Sequence, residues 1–275
     1  MSENNIFLSI CTPTYNRAYC LSNLYESLCK QTSKQFEWII IDDGSSDETE
    51  KLINQWIEEK KDFTIIYDKQ IHGGKHRALN KGVNLATAPF FFIVDSDDRL
   101  LGNAVELVCA WTQLILDKID YAGVSGLRIN KNGQIIGGMP TFSGIYVDIT
   151  NFERRKHGLC GDKAEVYRTE LLKKNVFPEF ENELFITEDI CWMNIAYLGY
   201  KIRWYNVPIY ECEYLDDGLS ISGANDIEGH KKNYKGYCYY ISECVKKKPF
   251  IEKMISFKEY INSCRKMEIS LKKKM

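Results

Sequence analysis

Residues 90–98 read FFFIVDSDD: five apolar residues, Phe90–Val94, followed at once by Asp95, Asp97 and Asp98. A short, unbroken apolar run suits a strand buried on both faces, and its charged end marks where that strand leaves the core. The same arrangement recurs three times upstream. Ile6–Thr12, apolar and β-branched, leads into TPTYNR (12–17); Phe36–Ile41, FEWIII, leads into DDGSSD (42–47); Phe63–Tyr67 leads to HGGKH (72–76). Helical spacing separates these runs: first Leu21, Leu24, Tyr25 and Leu28, then Leu52, Ile53, Trp56 and Ile57 facing inward from Lys51–Lys60, then Lys75–Thr87. Strand and helix in alternation predict an α/β fold, a mainly parallel sheet with helices on both faces. Such sheets bind ligands at the carboxyl ends of their strands, which is where the four polar stretches converge.

Beyond residue 101 the pattern is less regular. Gly102–Asp117 and Glu188–Leu198 read as helices, and Tyr121–Ile129, Gly144–Val147 and Lys201–Val207 as strands. From about Asp226 the chain reads as helical, with a break expected at Pro249. The 275 residues, 44% hydrophobic and 27% charged, fit one large globular α/β domain with an appendage. The net charge of −2 is unevenly spread: residues 246–275 hold ten Lys/Arg against three Asp/Glu, a balance of +7, which leaves −9 for residues 1–245. A basic end on an acidic body suits either a solvated helix or contact with an anionic membrane face. The polar start, Met1-Ser2-Glu3-Asn4-Asn5, does not read as a signal peptide, and no apolar run approaches the ~20 residues of a bilayer span, so any membrane contact is expected to be peripheral. Ten cysteines show no CxxC pair and no zinc spacing. Cys11, Cys109 and Cys191 sit among apolar residues and read as reduced, buried side chains of a cytosolic protein.

Each polar stretch also has a plain structural use. In DDGSSDE, Ser45 and Glu48 match a capping box, and Asp47 suits the positive end of a helix. HGGKH is not a P-loop, because His76 stands where Ser or Thr is needed; Gly73 and Gly74 ahead of a helix can nevertheless cradle a phosphate, with Lys75 adding a point charge. The acidic cluster is harder to explain by structure alone, since three carboxylates at a strand end cannot all stay ionised cheaply. A divalent cation relieves them. Carboxylates without nearby Cys or His suit hard Mg²⁺ or Mn²⁺, and Mg²⁺ usually shares such ligands with substrate phosphates.

The order and spacing of TPTYNRAYCLSNLYESLCKQT, FEWIIIDDGSSDET, GGKHRALNKGVNLA and FFIVDSDDRL resemble the GT-A glycosyltransferases, and within them the inverting family 2. The resemblance covers residues 6–101 and thins in GDKAEVYRTELL (161–172), FITEDICWMN (185–194) and YLDDGLSIS (214–222). It implies a Rossmann-like mixed sheet flanked by helices, a nucleotide-sugar-binding half over 1–101, an acceptor-binding half over 102–225 and a basic helical extension over 226–275. It also implies a nucleotide-diphosphate sugar donor, expected to be UDP-linked, and Mn²⁺ or Mg²⁺. Pro13 and Tyr15 match positions lining the nucleoside pocket. Asp43 matches the acid that hydrogen-bonds the base, with Asp42 turned into the fold. Lys75 lies in the stretch that meets the ribose and diphosphate. Asp95, Ser96 and Asp97 form the DxD motif, with Asp97 or Asp98 nearest the metal and Asp97 preferred. Asp189 matches the catalytic base, and a helix amino end favours its anion; an ordinary N-terminal helix acid is the plain alternative. Relatives often carry a His in or near the donor-closing loop. This chain has none there, and Ser220 or Ser222 would substitute.

Three rival readings remain. A glycoside hydrolase uses paired carboxylates but needs neither the DxD cluster nor the GGK stretch. A sugar-phosphate nucleotidyltransferase carries a Gly-rich, Arg-containing signature after its first strand, which TPTYNR lacks. A non-catalytic nucleotide-sugar sensor would have lost Asp97 or Asp189. The resemblance further implies an acceptor that is a glycan or lipid-linked glycan of a cell-surface polysaccharide, reached from the cytoplasmic face of the membrane; no nucleic-acid partner is expected.

Overall fold

A computed structural model of the protein describes residues 6–59, 61–213 and 227–250, and residues 253, 254, 256, 258, 261, 262, 264 and 265. The loop expected to close over the donor, with Ser220 and Ser222, lies outside the described residues. The chain runs β1 (Leu8–Thr14), α1 (Leu21–Cys29), β2 (Phe36–Asp42), α2 (Thr49–Glu58), β3 (Thr64–Lys69), α3 (Lys75–Leu85), β4 (Phe90–Ile93), β5 (Arg99–Leu100), α4 (Ala104–Gln113), β6 (Tyr121–Asn130) and β7 (Tyr146–Ile149). A 3-10 helix (Asn151–His157) follows, then β8 (Lys163–Arg168), α5 (Thr169–Lys174), α6 (Asp189–Tyr197), β9 (Lys201–Cys212), α7 (Ile227–Lys232) and α8 (Tyr234–Lys247).

Among the described residues nine strands form one mixed sheet in the order β3-β2-β1-β4-β8-β6-β9-β5, with β7 on β9. β3, β2, β1 and β4 are mutually parallel. Every residue of β2 is buried, and its side chains alternate between two cores. Trp38 and Ile40 join the core under α1, α2 and α4; Ile39 and Ile41 join the core under α3, α5 and α6. This is why FEWIII lacks polar alternation: both faces are covered. Its one charged side chain, Glu37, is buried and accepts hydrogen bonds from Ser9 Oγ (2.6 Å), Thr87 N (2.8 Å) and Thr87 Oγ1 (2.9 Å), which meets the requirement for burying an ion.

Two strands were not legible in the sequence. β5 has only two residues, and β8 reads KAEVYR, with charges where a core strand should be apolar. β8 is nonetheless central, pairing antiparallel with β4 and β6. Lys163 is fully buried there because its ammonium donates to the carbonyls of Ile136 (2.9 Å), Cys160 and Asp162 (3.3 Å). In α2, Ile53 and Trp56 face inward as expected, but Ile57 is exposed. α8 ends at Lys247, and Lys248 is extended (ψ 154°) ahead of Pro249, the expected break.

Candidate active site

The carboxyl ends of β1 to β4 form one rim, and their loops are pinned to each other. Asn16 takes the left-handed conformation (φ 52°), which Asn tolerates. Its N–H donates to Ser45 Oγ (2.8 Å), and its side-chain oxygen accepts from Ser46 N (2.8 Å). Arg17 N donates to Thr49 Oγ1 (3.1 Å) and Ala18 N to Asp47 Oδ2 (3.1 Å). Ser45 therefore serves the β1 loop and does not cap α2. The predicted capping box does not form, and α2 starts at Thr49, ahead of the expected Lys51, with the Thr49 N–H donating to Asp47 Oδ1 (3.1 Å). Asp42 points into the fold, accepting from Ser45 N (2.7 Å) and the Tyr67 hydroxyl (3.0 Å).

Asp43 is buried, and three N–H donors and the His72 ring surround its carboxylate. Oδ1 accepts from Gly73 N (2.8 Å) and Gln70 Nε2 (2.7 Å); Oδ2 accepts from Gly74 N (2.8 Å) and lies 2.9 Å from His72 Nδ1. The Gly73 and Gly74 N–H groups expected at a phosphate donate to Asp43 instead. Gly74 is required here: its φ is +94°, and a Cβ would lie 1.9 Å from the Leu184 carbonyl oxygen. The His72 ring, held by Asp43, stacks on Tyr15 at 4.1 Å between centroids, and Tyr15 is exposed. Pro13 is buried in β1, opposite Ile41.

The three aspartates after β4 point three ways. Asp95 Oδ1 meets Lys75 Nζ at 2.5 Å, and Oδ2 lies 4.0 Å from Arg128 Nη1. Burial works against its charge, but Lys75 and Arg128 outweigh burial and hold its pKa below the usual carboxylate range. Asp98 is buried, accepting from the Tyr210 hydroxyl (2.7 Å) and Glu213 N (2.8 Å), and burial, then Asp95, push its pKa up to about 7. Among the described residues, Asp97 alone of the three is half-exposed without a hydrogen bond to another residue; burial and Asp95 raise its pKa. Ser96 is buried, its carbonyl beside Cys20 Sγ. Lys75 and Arg128 thus meet the charge of Asp95, and Tyr210 and the Glu213 N–H hold Asp98, while Asp97 still feels the charge of Asp95.

Lys75 carries the site further. Its Nζ also meets Glu188 Oε1 at 2.7 Å, so one ammonium joins the end of β4 to the start of α6. Burial opposes that charge, while Asp95 and Glu188 hold the pKa well above the usual lysine value. Asp189 is the first residue of α6. It lines a cavity of about 480 Å³ with Lys75, Asp95, Arg128, Arg154, Glu165 and Glu188. The roles of Arg128, Glu165 and Glu188 were missed from sequence. Glu188 had a signal, its place beside Asp189 in FITEDI; Arg128 and Glu165 lie in strands whose register decides which side they face.

The family model for glycosyl transferase family 2 matches residues 9–175. The GalNAc(5)-diNAcBac-PP-undecaprenol beta-1,3-glucosyltransferase of Campylobacter jejuni is 27% identical over 193 residues, 68% of this chain and 59% of that protein. The chain thus spans about three fifths of that relative's length. Among solved structures, S. aureus TarS 1–349 in complex with UDP-GlcNAc superposes with a TM-score of 0.69 at 21% identity, covering 94% of this chain and 72% of that one. Mannosyltransferase PcManGT from Pyrobaculum calidifontis, in complex with GDP-Man and Mn²⁺, gives 0.57 at 18%, covering 92% and 68%. These structures share the fold. Matched over more than half of its length, the chain belongs to glycosyl transferase family 2.

Proposed function

We propose that the protein is an inverting glycosyltransferase that moves a sugar from a UDP-linked donor to a hydroxyl of a glycan or lipid-linked glycan. The observation that carries this reading is Lys75 Nζ held between Asp95 and Glu188, beside Asp189, at the rim where four parallel strands end. A diphosphate leaving group would compete with Asp95 and Glu188 for the Lys75 charge. Tyr15, backed by His72, presents an exposed ring for a nucleobase, with Pro13 in the strand behind it. Asp43 acts through the loop it anchors. Asp189 accepts the acceptor hydroxyl's proton, and one displacement with one base inverts the anomeric carbon. Residues 1–101 hold the donor and 102–225 the acceptor.

A hard divalent cation fits these residues. Asp97 is an oxygen donor with no hydrogen-bond partner among the described residues. No group of three or more His, Cys, Asp or Glu that could hold an ion is found among the described residues; donor phosphates would have to supply further ligands. Mn²⁺ or Mg²⁺ at Asp97 would offset the charge of the departing diphosphate. A relative named for a lipid-linked substrate, a neighbour bound to UDP-GlcNAc and another bound to Mn²⁺ support these assignments.

The acceptor points to work at the cytoplasmic face of a membrane. No helix among the described residues is long and apolar enough to cross one. Lys246 and Lys247 pair with Glu243, and Lys248 with Asp189, so the charge left for a membrane is that of residues 249–275: seven Lys/Arg against three Asp/Glu. The donor reading is tested by thermal shift and turnover. UDP should raise the melting temperature in Mn²⁺ or Mg²⁺ and not in EDTA; an equal shift in EDTA refutes the metal. A panel of UDP-glucose, UDP-galactose, UDP-GlcNAc, UDP-GalNAc and a dTDP-sugar should contain a hydrolysed donor, and inertness of all the UDP-sugars refutes the UDP assignment.

A further inference from the structure

The C-terminal extension reaches the site. Asp189 Oδ2 accepts hydrogen bonds from the Tyr240 hydroxyl (2.7 Å) and from Lys248 Nζ (3.3 Å), and Lys248 Nζ also donates to the Tyr240 oxygen (3.2 Å). The three groups close a small triangle. Tyr240 comes from α8 and Lys248 from the residue that follows it. Asp189 Oδ1 has no hydrogen bond among the described residues, and the Asp189 side chain is 39% exposed.

The rest of the extension fixes this geometry from both ends. At its start, Glu183 accepts from Lys235 N (2.7 Å) and Gly236 N (2.7 Å), and Asn233 Oδ1 accepts from Leu184 N (2.9 Å) and Phe185 N (3.0 Å). These bonds clamp the segment leading into Glu188-Asp189. At its end, Lys247 Nζ donates to Asn194 Oδ1 (2.6 Å) on α6. In between, Cys244 is fully buried against the core shared with α6. The helix stops at Lys247 because Pro249 forces Lys248 out of the helical conformation. The break turns Lys248 toward the cleft, where it also lines the cavity. A continuing helix would carry that residue along its own axis. The sequence motif at Pro249 thereby gains a use.

We infer that Tyr240 and Lys248 are positioning residues for the base: they hold Oδ2 of Asp189 so that Oδ1 alone faces the acceptor hydroxyl. A carboxylate free to rotate presents either oxygen at varied angles. One fixed by two donors presents a single lone-pair direction, which is what proton transfer at hydrogen-bond distance requires. A Lys at this distance also places a full positive charge beside the carboxylate, and a neutral residue of the same length does not. The inference rests on Asp189 being the base.

The test measures UDP release from the hydrolysed donor, with kcat and KM determined separately for full-length Tyr240→Phe, Lys248→Met and Lys248→Arg, alongside their melting temperatures. Positioning requires that Tyr240→Phe and Lys248→Met each lower kcat tenfold or more, leave donor KM within about twofold, and stay folded; Lys248→Arg, which keeps a donor and the charge, should recover most of the rate. Unchanged kcat in either of the first two variants overturns the inference, and so does a rise in kcat for Lys248→Met, which would make Lys248 a block on the base. Asp189→Asn, run in parallel, separates the two readings. If it retains turnover, the base assignment itself is wrong. If it loses turnover while Tyr240→Phe and Lys248→Met do not, only the positioning role fails.

Discussion

Replacing Asp43 by Ala separates a donor ligand from a structural anchor. The carboxylate binds two buried backbone N–H groups, of Gly73 and Gly74, and two side-chain groups, of Gln70 and His72. His72 is partly exposed and Gln70 half-buried, so both can turn to water. The two backbone groups are buried and cannot. Each buried N–H left without an acceptor costs about 1–3 kcal/mol, so the pair costs about 2–6 kcal/mol. For a chain of this size a loss of 1 kcal/mol lowers the melting point by about 2–4 °C, which puts the expected drop near 10 °C. Differential scanning fluorimetry without ligand reads it directly, and UDP affinity is measured by calorimetry below the transition. Binding should weaken too, because the HGGK turn carries both Lys75 and the ring behind Tyr15. A melting point within about 2 °C of the wild type, with UDP binding lost, would refute the anchoring role and restore Asp43 as a direct contact to the base.

Gly74→Ala should be at least as damaging, since the added Cβ collides with the backbone oxygen of Leu184 and sits at positive φ; the expected loss is about 2–5 kcal/mol by urea unfolding, and under about 0.5 kcal/mol would contradict the close approach. Glu165 predicts a pH dependence: burial raises its pKa from the ordinary 4.5 to about 7 despite Arg154. The folded carboxyl keeps a proton that the unfolded one has lost, so this stability is present below pH 4.5 and fades as pH rises toward 7. Glu165→Gln should therefore flatten stability across that window, by up to about 3 kcal/mol; an unchanged pH profile of urea midpoints refutes it. Deleting residues 257–275, which keeps Lys248 and the buried Ser256 that lines the cavity, should weaken binding to anionic liposomes in sedimentation while leaving donor turnover intact, and unchanged sedimentation would make those charges ordinary surface.

How much of this was legible in the sequence varied with the element. Parallel strands buried on both faces announce themselves as FEWIII and FFFIV, because each residue meets an apolar layer. The rim followed, since strand ends in such a sheet share one edge. β8 did not, because its buried Lys163 is satisfied by carbonyls that only the fold brings together. The same limit applied at the site. DDGSSDE fits a capping box on paper, but tertiary bonds from Asn16 and Ala18 claim Ser45 and Asp47. The like charges of Asp95, Asp97 and Asp98 suggested a metal, yet Lys75 and Arg128, both distant in sequence, neutralise the first, and Tyr210 and Glu213 hold the third. Tyr240 and Lys248 carried no signal, since nothing in a basic, Tyr-rich segment says where its ends point.

The most direct measurement compares wild type and Asp189→Asn for UDP release from the donor panel and for UDP affinity in Mn²⁺. If Asp189 is the base, its amide loses about 10²–10⁴-fold in turnover while UDP binds as tightly as to the wild type. Retained turnover, or an equal loss of UDP affinity, would contradict the assignment of Asp189 as the base of an inverting transfer.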